Sequence, residues 1–290
     1  MINKKVLILG FRGTLGQALV KEFSNGSSNY EVVSWDKEEI DITNAEQLKE
    51  KIVLLQPEII INTVAHNAVD KIETEEAEFL SAQKINGEAV KNLAVIAKDL
   101  GTVLIHYSSD YVFAGVKEDG YAEEENPEPI NKYGQTKLMG EKYLLEVAPH
   151  FYLIRLSKLF SNIPAGPTSK KSFVETMLGL YNQGKRDFEL VDDELSSPTY
   201  ALDLAKFTRE LLEQQKPWGI YHGANSGGCT WYGLGKEIFA AKNYDVCLLP
   251  VLAIKFPRPA PRPYQSILLN TKMPLQRPWV EALKEALQTL

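Results

Sequence analysis

Residues 5–16 read KVLILGFRGTLG, an apolar run followed by three glycines, Gly10, Gly13 and Gly16, at a spacing of three residues. The apolar run predicts a buried strand, and the glycines predict a tight turn that leads into a helix. Such a turn lets a pyrophosphate approach the backbone, and the N-terminus of the following helix attracts the anion. A glycine-containing turn without a ligand is the alternative. We favour a dinucleotide-binding loop, because the glycines stand between a predicted first strand and a predicted helix.

The first half of the chain repeats this alternation of strand and helix. Its further short apolar runs are EVVSW, EIIINTVA, VLIHYSS and FYLIRL, and the longer amphipathic runs between them are AEQLKEKIVLL, EAVKNLAVIAKDL and KLMGEKYLLEVA. Strands that are apolar throughout are typical of parallel sheets covered by helices on both faces. We therefore predict the α/β fold class, with a doubly wound parallel sheet of the Rossmann type.

The alternation breaks after Arg155, where proline and glycine become frequent. The segment KFPRPAPRPYQ, for example, cannot form a regular helix. We predict an NAD(P)-binding Rossmann domain over residues 1–160 and a smaller, mainly substrate-binding domain over residues 161–290. The chain is expected to return to the Rossmann domain near residues 198–214.

Composition excludes several classes of function. The chain has 290 residues, 44% of them hydrophobic, which is enough for a large core. Its net charge of −6 argues against nucleic-acid or anionic-membrane binding, and no stretch has the roughly 20 apolar residues that a membrane span needs. The two cysteines lack a C-x-x-C spacing and the four histidines are scattered, so we predict no metal site. A cytoplasmic, reduced protein is the expectation.

The end of the second predicted strand bears on the choice of coenzyme. Asp36 follows the last glycine by about twenty residues, where a carboxylate can accept hydrogen bonds from the adenosine ribose, which favours NADH. Arg12 and Lys37 favour NADPH instead, because either side chain could meet its 2′-phosphate. Ordinary surface charge is the alternative for all three residues. The sequence therefore leaves NADH and NADPH open.

The stretch YGQTK places Tyr133 and Lys137 four residues apart, one turn of a helix. A nearby cation favours the phenolate and makes a phenol a better proton donor. The same spacing occurs in YNQGK and YGLGK, but only YGQTK follows a strand that ends in a free hydroxyl, Ser109. We predict that these three groups converge at one site, and that the tyrosines of the other two stretches have packing or surface roles.

With these motifs the chain resembles the extended short-chain dehydrogenases/reductases, and it is closely similar to the dTDP-4-dehydrorhamnose reductase family. The similarity runs nearly from end to end. The resemblance implies reduction of a 4-keto group on a nucleotide-linked deoxysugar, from dTDP-4-dehydro-L-rhamnose to dTDP-L-rhamnose, for cell-surface polysaccharide. The segments that carry it are GFRGTLG, DIT, INTVAHNAVDKIETE, SSDYVFAG, YGQTKLMGE, RLS, VDDELSSPTYALDLA, GGCTW and RPAPRPYQSILLNTK.

The resemblance also implies roles for individual residues. Tyr133 would donate a proton to the sugar oxygen, and Lys137 would lower the pKa of Tyr133 and hold the nicotinamide ribose. Ser109, where the family usually has threonine, would hydrogen-bond the carbonyl or the phenol. The coenzyme would also be held by Gly10, Arg12, Gly13, Thr14, Leu15, Gly16, Asp36, Lys37, Asp41, Ile42, Ala65 and Asn67. Arg262 would lie near the sugar nucleotide, where a guanidinium suits a pyrophosphate.

The sequence departs from the family at three places. Lys158 stands where a tryptophan usually packs on the substrate sugar. The lysine at this position leaves three alternatives. The substrate is a more polar or anionic sugar, Lys158 points away while another aromatic side chain covers the sugar ring, or Lys158 is solvated and has no role in substrate binding. Glu194 and Ser196 stand where glutamine and glycine are common, which changes the charge and shape of that loop. Ala18 stands where some members have a glutamate that holds Mg²⁺ between subunits, so a homodimer is left open and no metal is predicted.

Two rival functions remain. One is a non-catalytic regulatory subunit like the methionine adenosyltransferase-β branch, against which the retained Ser109, Tyr133 and Lys137 argue. The other is a reductase for a different nucleotide sugar, such as a GDP-fucose synthase-like epimerase-reductase. Epimerisation calls for a Cys/His acid-base pair, and neither Cys229 nor Cys247 lies in the expected central segment.

Overall fold

The computed structural model describes residues 4–25, 29–163 and 170–290. Its described strands are β1 (Lys4–Leu9), β2 (Tyr30–Trp35), β3 (Ile59–Asn62), β4 (Val103–Ser109), β5 (Phe151–Phe160), β6 (Asp187–Val191), β7 (Leu195–Ser196), β8 (Pro198–Tyr200), β9 (Gly219–His222), β10 (Cys247–Val251) and β11 (Gln265–Ser266). Its helices are α1 (Thr14–Phe23), α2 (Ala45–Leu55), α3 (Val69–Thr74), α4 (Glu76–Ala82), α5 (Ala89–Leu100), α6 (Lys132–Val147), α7 (Phe173–Asn182), α8 (Ala201–Glu213), α9 (Trp231–Ala241) and α10 (Trp279–Leu287). A π-helical segment, Gln83–Glu88, joins α4 to α5.

The main sheet is parallel and has the strand order β2-β1-β3-β4-β5, with β9 and β8 pairing successive parts of β5. Strand β1 lies between β2 and β3. The sheet therefore extends from β1 towards one edge through β2 and towards the other edge through β3, β4 and β5. Sheets with such a switch point bind ligands in the crevice at the carboxyl ends of their strands. The predicted fold class is confirmed.

The apolar strands explain why helices cover both faces. Successive side chains of a strand point to opposite faces, so Val6 and Ile8 pack on one side while Leu7 and Leu9 pack on the other. The first side is closed by α1 and α8, and the second by α2 and α5. These four β1 side chains are completely buried, as the continuous apolar run predicted.

The C-terminal half contributes to two regions. Strand β8 pairs with β5, and α8 packs beside α1 on the main sheet. A separate core joins α7, α9 and α10 around β6, which pairs in parallel with β10. The division into two domains near residue 160 stays a prediction. No helix in the described ranges combines the length and apolarity that crossing a bilayer requires.

Candidate active site

A cavity of about 460 Å³ lies at the carboxyl ends of β1, β3, β4 and β5. The sequence-predicted residues that it brings together are Gly13, Thr14, Leu15, Gly16, Ala65, Asn67, Ser109, Tyr133, Lys137, Lys158 and Arg262. The other predicted residues, Gly10, Arg12, Asp36, Lys37, Asp41 and Ile42, are not among those that line it.

The glycine loop has the conformation that its sequence requires. Gly10 has a φ of +80°, in the region where glycine is favoured, and its N–H donates to Trp35 O at 2.8 Å. A Cβ at Gly16 would lie 2.3 Å from Gly10 O, so only glycine lets α1 pack this closely. A Cβ at Gly13 would meet only Gly10 O, at 3.3 Å. The N-terminus of α1 is therefore open beside Gly13, as an anion-binding site requires.

Asp36 joins the end of β2 to this loop. Its carboxylate accepts from the N–H groups of Arg12, at 3.1 Å, and Lys37, at 2.9 Å. The Arg12 guanidinium pairs with Glu38 at 2.6 Å. The Arg12 guanidinium, which could meet a 2′-phosphate, is thus already paired with the Glu38 carboxylate. Lys37, the other candidate for that contact, is exposed beside Asp36.

Asp41 and Ile42 follow further along the same edge. The Asp41 carboxylate accepts from the N–H and the hydroxyl of Thr43, at 2.9 and 2.7 Å, which fixes the turn before α2. Ile42 is buried in the core on the α2 side of the sheet. Neither residue lines the cavity, and their role in holding the coenzyme stays a prediction.

Tyr133 lies in the first turn of α6, whose start is fixed by Asn131. The Asn131 side chain accepts from Gly134 N–H at 2.8 Å and donates to Pro261 O at 2.9 Å, which ties the helix to the proline-rich segment. Burial raises the pKa of Tyr133 to about 12, the charge of Asp110 adds to this rise, and a hydrogen bond with Ser109 opposes it. Tyr133 is therefore a phenol over the whole physiological range.

Lys137 is buried one turn further along α6. Its Nζ atom donates to Tyr107 O at 2.7 Å, and burial lowers its pKa to about 8. The sequence predicted that Lys137 depresses the pKa of Tyr133. In the structure the pKa of Tyr133 is instead raised. Burial and the charge of Asp110 raise it by more than the interaction with Ser109 lowers it.

The other two Tyr–Lys stretches lie away from this cavity. Tyr181 stacks on Tyr244, with ring centres 3.7 Å apart, and the Arg186 guanidinium lies 3.8 Å from its ring. Tyr232 packs against the core of α7, α9 and α10. Neither tyrosine lines the cavity, in agreement with the packing roles expected for them.

Lys158 occupies an irregular position in β5. The register with β8 shifts between Ser157 and Leu159, and Lys158 has a φ of +40°, which is uncommon for a residue with a side chain. Its Nζ atom donates to Cys229 O at 2.7 Å and to Glu194 O at 3.2 Å. Burial lowers its pKa to about 8. The Nζ atom is therefore held by backbone carbonyl groups, and a role of Lys158 in substrate binding stays a prediction.

Arg262 reaches the cavity from the proline-rich segment, and its place near the sugar nucleotide stays a prediction. Its guanidinium donates to Asp70 Oδ2 at 2.8 Å and to Ala260 O at 2.7 Å. The side chain is only 10% exposed, whereas that of Asp70 is 43% exposed. A fixed, buried guanidinium with a solvent-facing partner can exchange that partner for an anionic ligand.

Sequence reasoning gave no role to Asp110 or Trp231 in the cavity, and it treated Glu194 only as a change in the charge and shape of its loop. Asp110 is buried and accepts hydrogen bonds from three serine hydroxyls. Glu194 accepts from Trp231 Nε1 at 3.1 Å and from the Arg258 guanidinium at 3.2 Å. The position of Asp110 in the cavity could have been predicted, since it directly follows the fourth predicted strand. Nothing local predicts that Glu194 and Trp231 meet, because 37 residues separate them.

A second cavity, of about 590 Å³, adjoins the first. The two share Thr14, Asn67, Lys158, Leu159, Lys170 and Trp231. The second one is also lined by aromatic and cationic side chains, among them Phe173, Phe256, Lys171 and Arg258. No cluster of three or more histidine, cysteine or acidic residues that could hold a metal ion occurs in the described parts of the chain.

The crevice, the glycine loop and the Tyr–Lys pair agree with what family comparison finds. Residues 4–290 match the family model described as RmlD substrate binding domain. The chain belongs to this family. The resemblance predicted from the sequence motifs is thus confirmed.

Similarity to individual members of the RmlD family covers almost the whole chain. The spore coat polysaccharide biosynthesis protein SpsK of Bacillus subtilis (strain 168) is 32% identical, over 98% of this chain and 97% of that protein. A Streptomyces antibioticus protein named probable dTDP-4,6-dihydroxy-2-methyloxan-3-one 4-ketoreductase is also 32% identical, over 97% and 93%. The crystal structure of dTDP-4-dehydrorhamnose reductase from Bacillus anthracis str. Ames in complex with NADP has a TM-score of 0.91 at 32% identity, covering 99% of this chain and 100% of that one.

Proposed function

We propose that this chain uses NADPH or NADH to reduce the 4-keto group of a nucleotide-linked deoxysugar, dTDP-4-dehydro-L-rhamnose, to dTDP-L-rhamnose. The observation that carries the proposal is the convergence of Ser109, Tyr133 and Lys137 on one cavity beside the glycine loop. Family membership and the NADP-bound relative from Bacillus anthracis support it. The polysaccharide role in the name of the Bacillus subtilis relative fits such a product.

The residues present fit a dinucleotide. The N–H groups in the first turn of α1 have no partner within the helix, and Gly13 leaves the approach to them open. Asp36 lies beside the loop, where its carboxylate can reach a ribose hydroxyl. Thr14, Ala65 and Asn67 line the wall next to it. The bound coenzyme supplies the hydride for the carbonyl carbon.

Tyr133 supplies the proton for the carbonyl oxygen. A proton donor must hold its proton until the substrate takes it, and Tyr133 is a phenol at neutral pH. Lys137 lies one helical turn away, with its ammonium held by Tyr107 O. Its fixed positive charge stabilises the negative charge that develops on the phenol oxygen as the proton leaves.

The sugar nucleotide has room beside these groups. Arg262 lines the wall of the first cavity and suits a diphosphate, which it can hold with parallel hydrogen bonds. The adjoining second cavity, with its aromatic and cationic lining, suits the rest of a nucleotide. Binding there would place the sugar in the first cavity, next to Tyr133.

A different nucleotide sugar is the second candidate, and Lys158 is the observation that favours it. An ammonium held by two backbone carbonyl groups stands where the family usually presents an indole to the sugar, so a more polar sugar would fit this wall better. The Streptomyces antibioticus relative, at 32% identity, is named as a probable 4-ketoreductase of a different dTDP sugar, so identity alone leaves the sugar open.

The remaining alternatives have less support. A regulatory subunit would not need a tyrosine, a lysine and a serine gathered in one cavity. An epimerase-reductase would need an acidic thiol, but burial raises the pKa of Cys229 to about 12, and Cys247 is exposed on β10. A homodimer and a cytoplasmic location stay predictions.

The decisive experiment is a panel of 4-keto sugar nucleotides assayed with NADH and NADPH, following loss of the reduced-nicotinamide absorbance. We expect turnover with dTDP-4-dehydro-L-rhamnose, and its loss in Tyr133→Phe. Tight coenzyme binding without oxidation by any sugar would favour the regulatory reading. Turnover confined to another sugar would favour the second candidate.

A further inference from the structure

Trp231 is the first residue of α9 and lies where the two cavities meet. Its side chain is only partly buried. It lines the first cavity together with Tyr133, and it also lines the second cavity, which suits the rest of a nucleotide. A ligand that extends from one cavity into the other therefore passes this indole.

The backbone that carries Trp231 is fixed on its N-terminal side. The Thr230 hydroxyl donates to Asp192 Oδ1 at 2.6 Å. Cys229 and Ser196, which lies on β7, exchange two backbone hydrogen bonds, at 2.9 and 3.2 Å. Helix α9 therefore begins at a defined place in the cavity wall, and the position of the Trp231 side chain follows from it.

The indole itself is held by side chains from three other segments. Its Nε1 atom donates to Glu194 Oε2 at 3.1 Å, and the same oxygen accepts from the Arg258 guanidinium at 3.2 Å. The Phe173 ring lies 4.9 Å from the indole at an angle of 47°, and the Lys158 ammonium lies 4.5 Å from the ring centre. The Glu194 side chain is only 6% exposed. The orientation of the indole is therefore set before any ligand enters.

We propose that Trp231 is a substrate-binding residue that packs against the apolar face of the deoxysugar, and that Glu194 is the positioning residue that orients its indole. The inference rests on the proposed reduction, which takes the sugar to lie in the first cavity beside Tyr133. A 6-deoxy sugar carries a methyl group and ring C–H bonds, and an aromatic surface binds such apolar groups in water. Lys158, whose Nζ atom is bound by backbone carbonyl groups, supports the indole from within the wall.

The sugar is the part of the ligand that this indole suits. The second cavity offers a base two other aromatic side chains, Phe173 and Phe256, which do not line the first cavity. The wall of the first cavity also carries the polar groups of Ser109 and Lys137, which suit the reacting carbonyl. Trp231 therefore supplies apolar surface to a sugar whose opposite side meets polar groups.

The test compares two ligands by calorimetry, dTDP and dTDP-L-rhamnose, with the oxidised coenzyme present. The difference between their affinities isolates the contribution of the sugar. In Trp231→Leu we expect the affinity for dTDP-L-rhamnose to fall by about tenfold while the affinity for dTDP is unchanged. Trp218→Leu is the matched control, because Trp218 is 45% exposed and lines neither cavity, and it should bind both ligands like the parent protein.

An equal fall for both ligands in Trp231→Leu would place the indole at the nucleotide and overturn the inference, and so would unchanged affinities. A parent protein that gains no affinity from the rhamnose would instead contradict the proposed substrate, and the inference with it. Trp231→Phe replaces Trp231→Leu if the latter does not fold, because it keeps a ring to pack on Phe173. It should show a smaller loss that is still confined to dTDP-L-rhamnose, and no loss would overturn the inference.

Glu194→Gln and Glu194→Leu test the positioning role. Glutamine keeps an oxygen that accepts the indole N–H, whereas leucine removes it. We expect Glu194→Gln to retain the affinity that the sugar contributes and Glu194→Leu to lose it, as Trp231→Leu does. An equal loss in both variants would assign the effect to the charge pair with Arg258, and parent-like binding in both would show that the indole needs no anchor. Either result would overturn the role of Glu194.

Discussion

The Nζ atom of Lys158 lies 4.5 Å from the centre of the Trp231 indole, and both side chains line the two adjoining cavities. A cation over an aromatic face is attracted by the ring, and the attraction is stronger where water is excluded. Trp231 is itself fixed by its hydrogen bond to Glu194. The wall shared by the two cavities therefore carries an ammonium at position 158, held between the Trp231 ring and two backbone carbonyl groups.

Lys158→Met tests what this ammonium does for substrate binding. Methionine keeps much of the stem and removes the charge, so we expect KM for the sugar nucleotide to rise while kcat changes by less than about tenfold, or about 1.4 kcal/mol. We expect a small effect on turnover because the Nζ atom of Lys158 is bound to the carbonyl groups of Glu194 and Cys229. Steady-state kinetics check this, and a loss of kcat by orders of magnitude would place Lys158 at the reacting atoms instead.

The same residue predicts a pH dependence. The Lys158 ammonium loses its proton as pH rises through about 8, so an interaction that needs the charge is present below that pH and lost above it. We expect KM of the parent protein to increase above pH 8. Lys137 titrates in the same range, but it is present in both proteins, so the difference between the parent and Lys158→Met isolates Lys158. Parallel profiles in the two proteins would contradict the prediction.

Gly13→Trp tests the coenzyme loop. A Cβ at this position meets only Gly10 O, at 3.3 Å, and the indole beyond it is expected to fill the space that a pyrophosphate needs. We expect folded protein that no longer binds NADPH or NADH, measured by calorimetry. Gly179→Trp, on α7, is the control, because a Cβ at Gly179 meets no atom within 4 Å and lies outside both cavity linings. Equal affinities in the two variants would remove the loop from the coenzyme site.

Tyr133→Phe tests the proton donor. It removes one oxygen from a ring in the cavity wall, so turnover should fall by about 10²-fold or more while coenzyme binding stays nearly intact. Tyr181→Phe is the matched control, since its ring is held by stacking on Tyr244 at a distance from the cavity. Inactivation by the control variant, with an active Tyr133→Phe, would show that the site lies elsewhere.

The sequence predicted those parts of the molecule that depend on local patterns. The run KVLIL and the glycines after it predicted β1, the loop and α1, since apolar runs and glycine spacing act within a few residues. The Asp110 cluster could not be predicted in this way, because Ser157 and Ser266 lie 47 and 156 residues from it. The direction of the Lys158 side chain depends on a strand irregularity and on two carbonyl groups that come from distant loops.

Arg155 and Glu141 form a buried ion pair that joins the Tyr–Lys helix to the sheet. Arg155 lies on β5 and Glu141 lies on α6, one turn after Lys137. The guanidinium donates to both carboxylate oxygens, at 3.0 and 2.7 Å, and both side chains are 1% exposed. Removing one partner of such a pair leaves the other charge buried without compensation.

We therefore expect Glu141→Gln to lower the free energy of unfolding by about 3 kcal/mol or more, measured by urea denaturation. Asp99→Asn is the control, because its pair with Lys49 is half-exposed at 3.3 Å and such pairs contribute about 1 kcal/mol or less. The charge of Glu141 also raises the pKa of Lys137, so Glu141→Gln should shift the alkaline side of the kcat profile to lower pH. A small, equal loss of stability in both variants would mean that solvent screens the Arg155 pair as it screens the surface pair. An unshifted profile would mean that Lys137 does not control turnover in that pH range.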